Sequence, residues 1–392
     1  MLKHVSINDL IPGMFVSQVV EQTGNTRVRT SGVVKSTLSV EKLREMGITL
    51  VEVDYARSQV TEPQQESTKV SEDSPKPKSN SDVLSSANQL YDEALTLQKS
   101  FISALQRGAP NDLTKASELS SSIIEGVFDN KDAMSCLTMI KNSDQYLLEH
   151  SINCAILMAM FADHLGYDRD TIDEACMGSL LMDVGMSQVP EEIRHKTDKL
   201  SPADWSVLRQ HVAISLELVE QGEQISDLAL SIISQHHERE DGSGYPNSLA
   251  STEIAPLSKM AAIIDSYDAM TSNRKHKDSI TPTLALKRLA KDPSLDSHLV
   301  KQFVQCVGVH PVGSLVKLKS GRLGIIAKPH PEDLLAPVVM TFYSISGGHF
   351  SEIKRVDLSQ VDDEIESGVR PDDFGINLPK FFKDVFINQV PD

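Results

Sequence analysis

His236 and His237 stand side by side and run into Glu238-Arg239-Glu240-Asp241-Gly242-Ser243-Gly244-Tyr245-Pro246. Neutral imidazole is the commonest transition-metal ligand, and a Gly-Ser-Gly loop lets backbone come close to a bound group. A histidine pair alone is more often the polar end of a helix meeting a turn. The side chains that could join the pair lie in separate stretches: His150, Asp183 in the run GSLLMDVG, His211 in RQHVAI, and Asp265 in AAIIDSYDAM. A carboxylate inside an apolar helical stretch is costly to bury unless it is paired or bound to metal, so Asp183 and Asp265 each need a partner. Two such carboxylates and four imidazoles together point to a divalent-metal site. Arg274-Lys275-His276-Lys277, expected to close the helix that carries Asp265, is one of few concentrated basic spots. It either clamps phosphate or complements the dipole of that helix.

The elements that would position these residues are mostly helical. Leu113, Ala116, Leu119, Ile123, Ile124 and Val127 share one face of a 3.6-residue period, with Asn111 or Asp112 available as N-cap. A helix from about Leu147 to Leu165, stopped by Gly166, is apolar on both sides, which predicts burial and an inward-pointing His150. The helix-like segment from Leu84 to Leu105 is suited either to packing on its own domain or to dimerisation. From about Val312 the period changes to two: Leu315 to Leu318, a Ser320-Gly321 turn and Leu323 to Ile326 form a hairpin signal, and PVVMTFYSI follows at 337–345. Residues 1–56 combine short β-like runs with a helix-like stretch from Val40 to Met46 ended by Gly47. Between them, Arg57 to about Asn80 is rich in Pro, Ser, Gln, Glu and Lys, with almost nothing to bury. The expected organisation is mainly α. A small α+β domain (1–56), a flexible linker (57–83) and an all-helical domain (84–311) precede a β-rich extension (312–392).

The 392 residues carry a formal charge of −17, which repels the backbone of DNA or RNA over most of the surface. A small anionic nucleotide stays compatible where metals or cations gather. Cys136, Cys154, Cys176 and Cys306 are scattered without a CxxC pair, so reduced, packed side chains are expected. The start MLKHVSINDL lacks the apolar stretch of a signal peptide, and AILMAMFA at 155–162 is too short to span a bilayer. A cytoplasmic protein with no membrane insertion is the expectation.

HHEREDGSGYP resembles the HHExxDGxGYP signature of the HD-GYP family, bacterial metal-dependent phosphodiesterases of cyclic dinucleotides, chiefly cyclic-di-GMP. The similarity runs over about 140–310. LEHSINCA looks like the family's helix bearing its first histidine ligand, SLLMDVGMSQVPEEI like LLHDIGKIxIPxxI, RQHVAI like HPxxG, and AAIIDSYDAMTSNRKHK like AxxDxxDAxTSxRxYK. LIPGMFV resembles the LxPGMxV phrase of the small domain often placed before this family. The resemblance implies an HD-type helical fold and one metal on Asp183, His211, His236 and His237. A second metal would sit on His150, bridging Asp183, Asp265 and the histidine of HD. That histidine position is Met182 and the following lysine position is Met186. A thioether is a soft, weak ligand for iron or manganese, so about one divalent transition-metal ion per chain is expected. The glutamate that adds a third metal in some members falls at Tyr146. Arg274 and Lys277 match the family's phosphate- and guanine-contacting cations, and Tyr245 preserves the GYP element. The implied function is cyclic-di-GMP signalling with weak or absent hydrolysis. An active phosphodiesterase yielding pGpG and GMP, or a scaffold that recruits protein signalling partners, is the alternative.

Overall fold

The computed structural model describes residues 2–7, 10, 12–22, 31–34, 40, 42–44, 47–55, 57–58, 79–106, 113–140, 145–220, 225–273, 278–330 and 333–387. Most of the expected linker lies outside the described residues, as do Asn111, Asp112, Arg274 and Lys277. The chain divides into two compact units, Met1–Lys76 and Pro77–Asp392.

In the first unit β1 (Leu2–Ser6), β2 (Phe15–Gln22), β3 (Gly32–Val33) and β4 (Ile48–Asp54) form an antiparallel sheet in the order β1-β4-β2-β3. Ile48, Val51 and Val53 of β4 pack with Ile7, Leu10, Met14, Val16 and Val34 into its core. The expected 40–46 helix falls partly on residues outside the description. Gly47 follows it with φ of +77°, a conformation that favours glycine.

The second unit begins with helices α1 (Asn80–Gln106), α2 (Thr114–Asp129), α3 (Lys131–Thr138), α4 (Tyr146–His164) and α5 (Arg169–Leu181). It continues with α6 (Glu191–Arg194), α7 (Pro202–Arg209), α8 (His211–Glu220), α9 (Asp227–Gln235), α10 (Pro256–Thr271), α11 (Pro282–Leu289) and α12 (Ser297–Val307). Helix α4 is buried from Glu149 through Ala162, as an all-round apolar pattern requires. Ala116, Leu119, Ile123, Ile124 and Val127 of α2 face the core, but the cap position is Leu113, which makes no side-chain cap bond, rather than Asn111 or Asp112.

Three boundaries differ from the sequence reading. Helix α1 starts at Asn80, inside the stretch 57–83 read as linker, and it buries Ala87, Tyr91, Ala94, Phe101 and Ile102 in the core of its own unit. Helix α10 ends at Thr271, before the basic run that was expected to close it. There Thr271 Oγ1 and Ser272 Oγ donate to the carbonyls of Tyr267 (3.0 Å) and Asp268 (2.7 Å), and Ser272 turns extended. The third difference is at the C-terminus. Strands β5 (Leu315–Leu318), β6 (Arg322–Lys328), β7 (Val338–Ser344), β8 (His349–Asp357) and β9 (Ile365–Gly368) form an antiparallel sheet in the order β8-β7-β6-β5-β9. The β5–β6 hairpin turns at Gly321, as its sequence predicts. Yet Val316, Leu318, Ile326, Val339 and Phe342 share one hydrophobic core with Ile124, Phe161 and Phe303 of the helices, so 84–311 and 312–392 are not independently packed. Among the described residues no helix is long and apolar enough to cross a membrane.

Candidate metal centre

Two local devices bring separate helix ends together. At the end of α5, Ser215 Oγ donates to the Met182 carbonyl (2.9 Å) while the Gly185 amide donates to Ser215 Oγ (2.8 Å), which pins the turn carrying Asp183 against α8. A Cβ at Gly185 would fall on the carbonyl oxygen of His211, so only glycine permits this approach. After α9 the chain folds around Glu238, whose buried carboxylate accepts from the amides of Asn247 (2.7 Å) and Leu249 (3.0 Å). Gly244 lies where a Cβ would meet Glu238 Cα at 2.5 Å. The Tyr245 amide donates to the His237 carbonyl (3.2 Å), and the two rings stack with centroids 4.6 Å apart.

The result is a cluster of potential ligand atoms. Asp183, His211, His236 and His237 each offer an atom within 4.8 Å of the others, and His150, Asp183 and Asp265 form a second group that shares Asp183. His150 Nε2 lies 3.1 Å from Asp183 Oδ2 and 3.2 Å from Asp265 Oδ1. His211 Nε2 is 3.2 Å and His236 Nε2 3.8 Å from Asp183 Oδ1, while His237 Nδ1 is 3.5 Å from Asp265 Oδ2. The far ring nitrogens are oriented by other groups: His211 Nδ1 lies 2.7 Å from the Leu208 carbonyl and His236 Nδ1 2.9 Å from that of Ile233. With Nδ1 engaged on a carbonyl, Nε2 is the ring atom of each that faces the cluster.

Electrostatics fit the same reading. Burial pushes His236 and His237 down from the usual imidazole range, so both stay neutral. Burial opposes ionisation of Asp183 and Asp265. Even so, the adjacent His150 and His211 imidazoles hold Asp183 well below the usual carboxylate range, and the proximity of His150 and His237 does the same for Asp265. Against burial, which lowers them, neighbouring groups raise His150 and His211, with Asp183 a partner of both; a divalent transition metal, which neutral imidazoles and ionised carboxylates suit, would displace those protons. His211 Nε2 and His236 Nε2 are buried without a well-formed hydrogen-bond partner, an arrangement that is costly unless a cation completes it. The residues present therefore fit a metal.

Met182 is 1 % exposed and belongs to the hydrophobic core, and Met186 is half-buried. Tyr146, the position of a third-metal glutamate by resemblance, stacks its ring on His150 with centroids 5.3 Å apart. Four residues were missed by sequence reasoning. Arg209 places its guanidinium 4.8 Å from the Tyr245 ring centre, Glu238 organises the loop, and Asp268 and Asn153 stand behind His150. Asp268 had the same signal as Asp265, a carboxylate in an apolar helix.

Residues 135–298 match the HD domain family, and residues 2–116 match a domain of unknown function, DUF3391. A cyclic di-GMP phosphodiesterase of Pseudomonas aeruginosa is 36 % identical over 238 residues, 60 % of this chain and 58 % of the relative. A 3′3′-cGAMP-specific phosphodiesterase of Vibrio cholerae is 32 % identical over 133 residues, 34 % of this chain and 26 % of the relative. The matches thus span less than two thirds of these relatives' own length. Among solved structures, an HDG"Y"P protein of Bdellovibrio bacteriovorus has a similar fold, with a TM-score of 0.50 at 15 % identity, covering 78 % of this chain and 99 % of that one.

Proposed function

We propose that the chain, with its HD domain match behind a DUF3391 match, belongs to the HD-GYP family and is a cytoplasmic cyclic-di-GMP signalling protein that binds metal and dinucleotide but hydrolyses weakly or not at all. Asp183, His211, His236 and His237 hold about one ion, iron or manganese. Arg274 and Lys277 take the phosphates, and Tyr245, with Arg209 beside it, lines the approach to His237. The observation that carries the reading is Met182: a buried thioether where a second metal would need imidazole, leaving His150, Asp183 and Asp265 as a three-residue group.

A bound divalent ion supplies Lewis-acid polarisation of a phosphoryl oxygen and lowers the pKa of a ligated water. The protein's own contribution is orientation and charge. Asp183 faces both groups of ligands, the stacked Tyr245 ring walls one side of His237, and the cations hold phosphate in the ground state. What is absent is an ammonium at 186 to meet charge that develops on the scissile phosphate. Losing one such electrostatic contact costs roughly 100- to 1,000-fold in turnover. Ground-state binding groups remain, which favours a receptor over an efficient catalyst.

A second reading, active hydrolysis to pGpG and GMP, is favoured by the presence of His150, Asp183, His211, His236, His237 and Asp265 together and by relatives that are phosphodiesterases. The deciding experiment measures cyclic-di-GMP turnover with added Mn²⁺ or Fe²⁺ alongside binding by calorimetry. Binding without turnover is expected, and the binding should weaken by about 2 kcal/mol or more in an Arg274→Ala/Lys277→Ala double variant. Robust turnover would overturn the receptor reading. Unchanged binding by the double variant would overturn the assignment of the phosphate contacts.

A further inference from the structure

The imidazole of His150 is held from behind by a buried chain of hydrogen bonds that begins on α1. Tyr91 Oη lies 2.8 Å from Asn153 Oδ1, Asn153 Nδ2 3.1 Å from Asp268 Oδ1, and Asp268 Oδ2 2.7 Å from His150 Nδ1. Tyr91 is 5 % exposed, His150 2 %, and Asn153 and Asp268 are fully enclosed. The Asn153 amide nitrogen can only donate, which sets the direction at Asp268 Oδ1. An ionised carboxylate only accepts, so Asp268 takes the amide hydrogen of Asn153 on one oxygen and Nδ1–H of His150 on the other. The amide oxygen of Asn153 then needs a donor, and the Tyr91 hydroxyl supplies it. Ser272 Oγ gives Asp268 Oδ2 a further donor at 3.2 Å. With Nδ1–H given to Asp268, Nε2 is the atom that faces Asp183 and Asp265, where a metal would take its lone pair in place of its proton.

From this geometry we infer that Tyr91 and Asn153 are positioning residues of the metal centre: acting through Asp268, they hold His150 in the tautomer and ring orientation that metal ligation requires. The inference rests on the reading of His150, Asp183 and Asp265 as a metal position. Phe and Leu would fill an apolar slot at this depth without polar atoms to satisfy, so core packing alone does not account for the chain. Its end on a ligand imidazole does. Groups that orient a metal-bound histidine through its other nitrogen set its basicity as well as its angle. The chain also crosses between the two family matches. Tyr91 lies within the DUF3391 match, whereas Asn153, Asp268 and His150 lie within the HD domain match. The first helix after the N-terminal unit therefore supplies the last donor of the relay.

The test uses the full chain and its Tyr91→Phe variant, which keeps the ring and removes only the hydroxyl, with Asn153→Leu as a second variant. Mn²⁺ titration followed by electron paramagnetic resonance should show a tight site that is unchanged and a weaker site whose affinity falls about tenfold. In Zn²⁺-loaded protein labelled with ¹⁵N-histidine, the His150 Nδ1–H should be protected from exchange in the parent and exposed in both variants. A packing role would lower the melting temperature but leave the affinity ratio and the nitrogen signal alone, and that outcome overturns the inference. If the parent takes up no second Mn²⁺ at millimolar concentration, the metal reading of the His150 position falls. The relay is then decided on the nitrogen signal, and an unchanged Nδ1–H in Tyr91→Phe rejects it.

Discussion

At position 182 a thioether closes the end of α5 inside the hydrophobic core, next to a carboxylate that two imidazoles approach to within 3.2 Å. A soft sulfur there leaves iron or manganese with only hard ligands from His150, Asp183 and Asp265 at one position, against a full four-ligand set at the other. Purified protein should therefore hold about one transition-metal ion per chain, and His237→Ala should strip it. Elemental analysis that finds two tightly held ions would reject this and make catalysis credible. A second residue-scale prediction reverses the substitutions. Met182→His with Met186→Lys should raise cyclic-di-GMP hydrolysis well above that of the parent, because the other ligands are already in place. Neither change alone should suffice, since groups acting on one transition state are strongly non-additive. A double variant that binds two metals and stays inactive would show that the pocket differs in more than these two side chains.

The clustering of the candidate ligands was legible because they broke a local pattern: Asp183 and Asp265 are carboxylates in apolar stretches, and His236-His237 opens a glycine-rich loop. Asp268 broke the same pattern three residues beyond Asp265, so its role was readable in principle from the same helix. Tyr91 was not. Its partner Asn153 is 62 residues away, and nothing local distinguishes its hydroxyl from that of a tyrosine at any half-polar core edge. The hairpin at Gly321 and the stop at Gly166 were readable because positive φ favours glycine. The end of α10 was misplaced because Thr271 and Ser272 stop it with their own hydroxyls, a competition that charge patterning does not reveal. Close helix approach gives a prediction at this scale. Gly185→Ala must push α8 away from the Asp183 turn, since the added Cβ meets the backbone of His211 and Ser215. The expected cost is about 1–3 kcal/mol of stability, with loss of bound metal at temperatures where the variant is still folded. Calorimetric unfolding combined with metal analysis checks both, and a stable, fully loaded variant would show that the α8 contact is not needed to hold the site.

Over the whole molecule, two separate cores set what can be cut and what must stay whole. Burial pushes the thiols of Cys136 and Cys176 up to about 12, against about 8.5 in an unfolded chain. The unfolded state thus releases these protons first, so their contribution to stability is fully present below about pH 8.5 and erodes as pH rises toward the folded value. Native protein should leave both thiols unreactive toward a disulfide reagent at neutral pH, and urea should expose them; rapid native labelling of either would contradict the packing. The division of the chain makes the stronger prediction. Among the described residues, 7–53 close one core and 87–387 another, and the two have no residue in common. Removing 1–76 should leave Pro77–Asp392 folded, cooperative in its unfolding and able to bind metal. Removing 312–392 should not leave a folded helical domain, although the sequence reads that stretch as an appended piece. Leu318, Leu323, Ile326, Val339, Phe342 and Phe382 are at most 1 % exposed within the shared core, and Lys383 Nζ reaches back to Asp92 Oδ1 of α1 at 2.7 Å. Exposing side chains of this size costs roughly 1.5–3 kcal/mol each, and a few of them match the entire margin of a typical domain, about 5–15 kcal/mol. The C-terminal truncation should accordingly be insoluble or molten, with lost near-ultraviolet circular dichroism. A soluble 77–311 fragment with sharp unfolding and bound metal would mean that the sheet is a dispensable cover, and the truncation at 76 serves as the control that shortening the chain does not itself disrupt the metal centre.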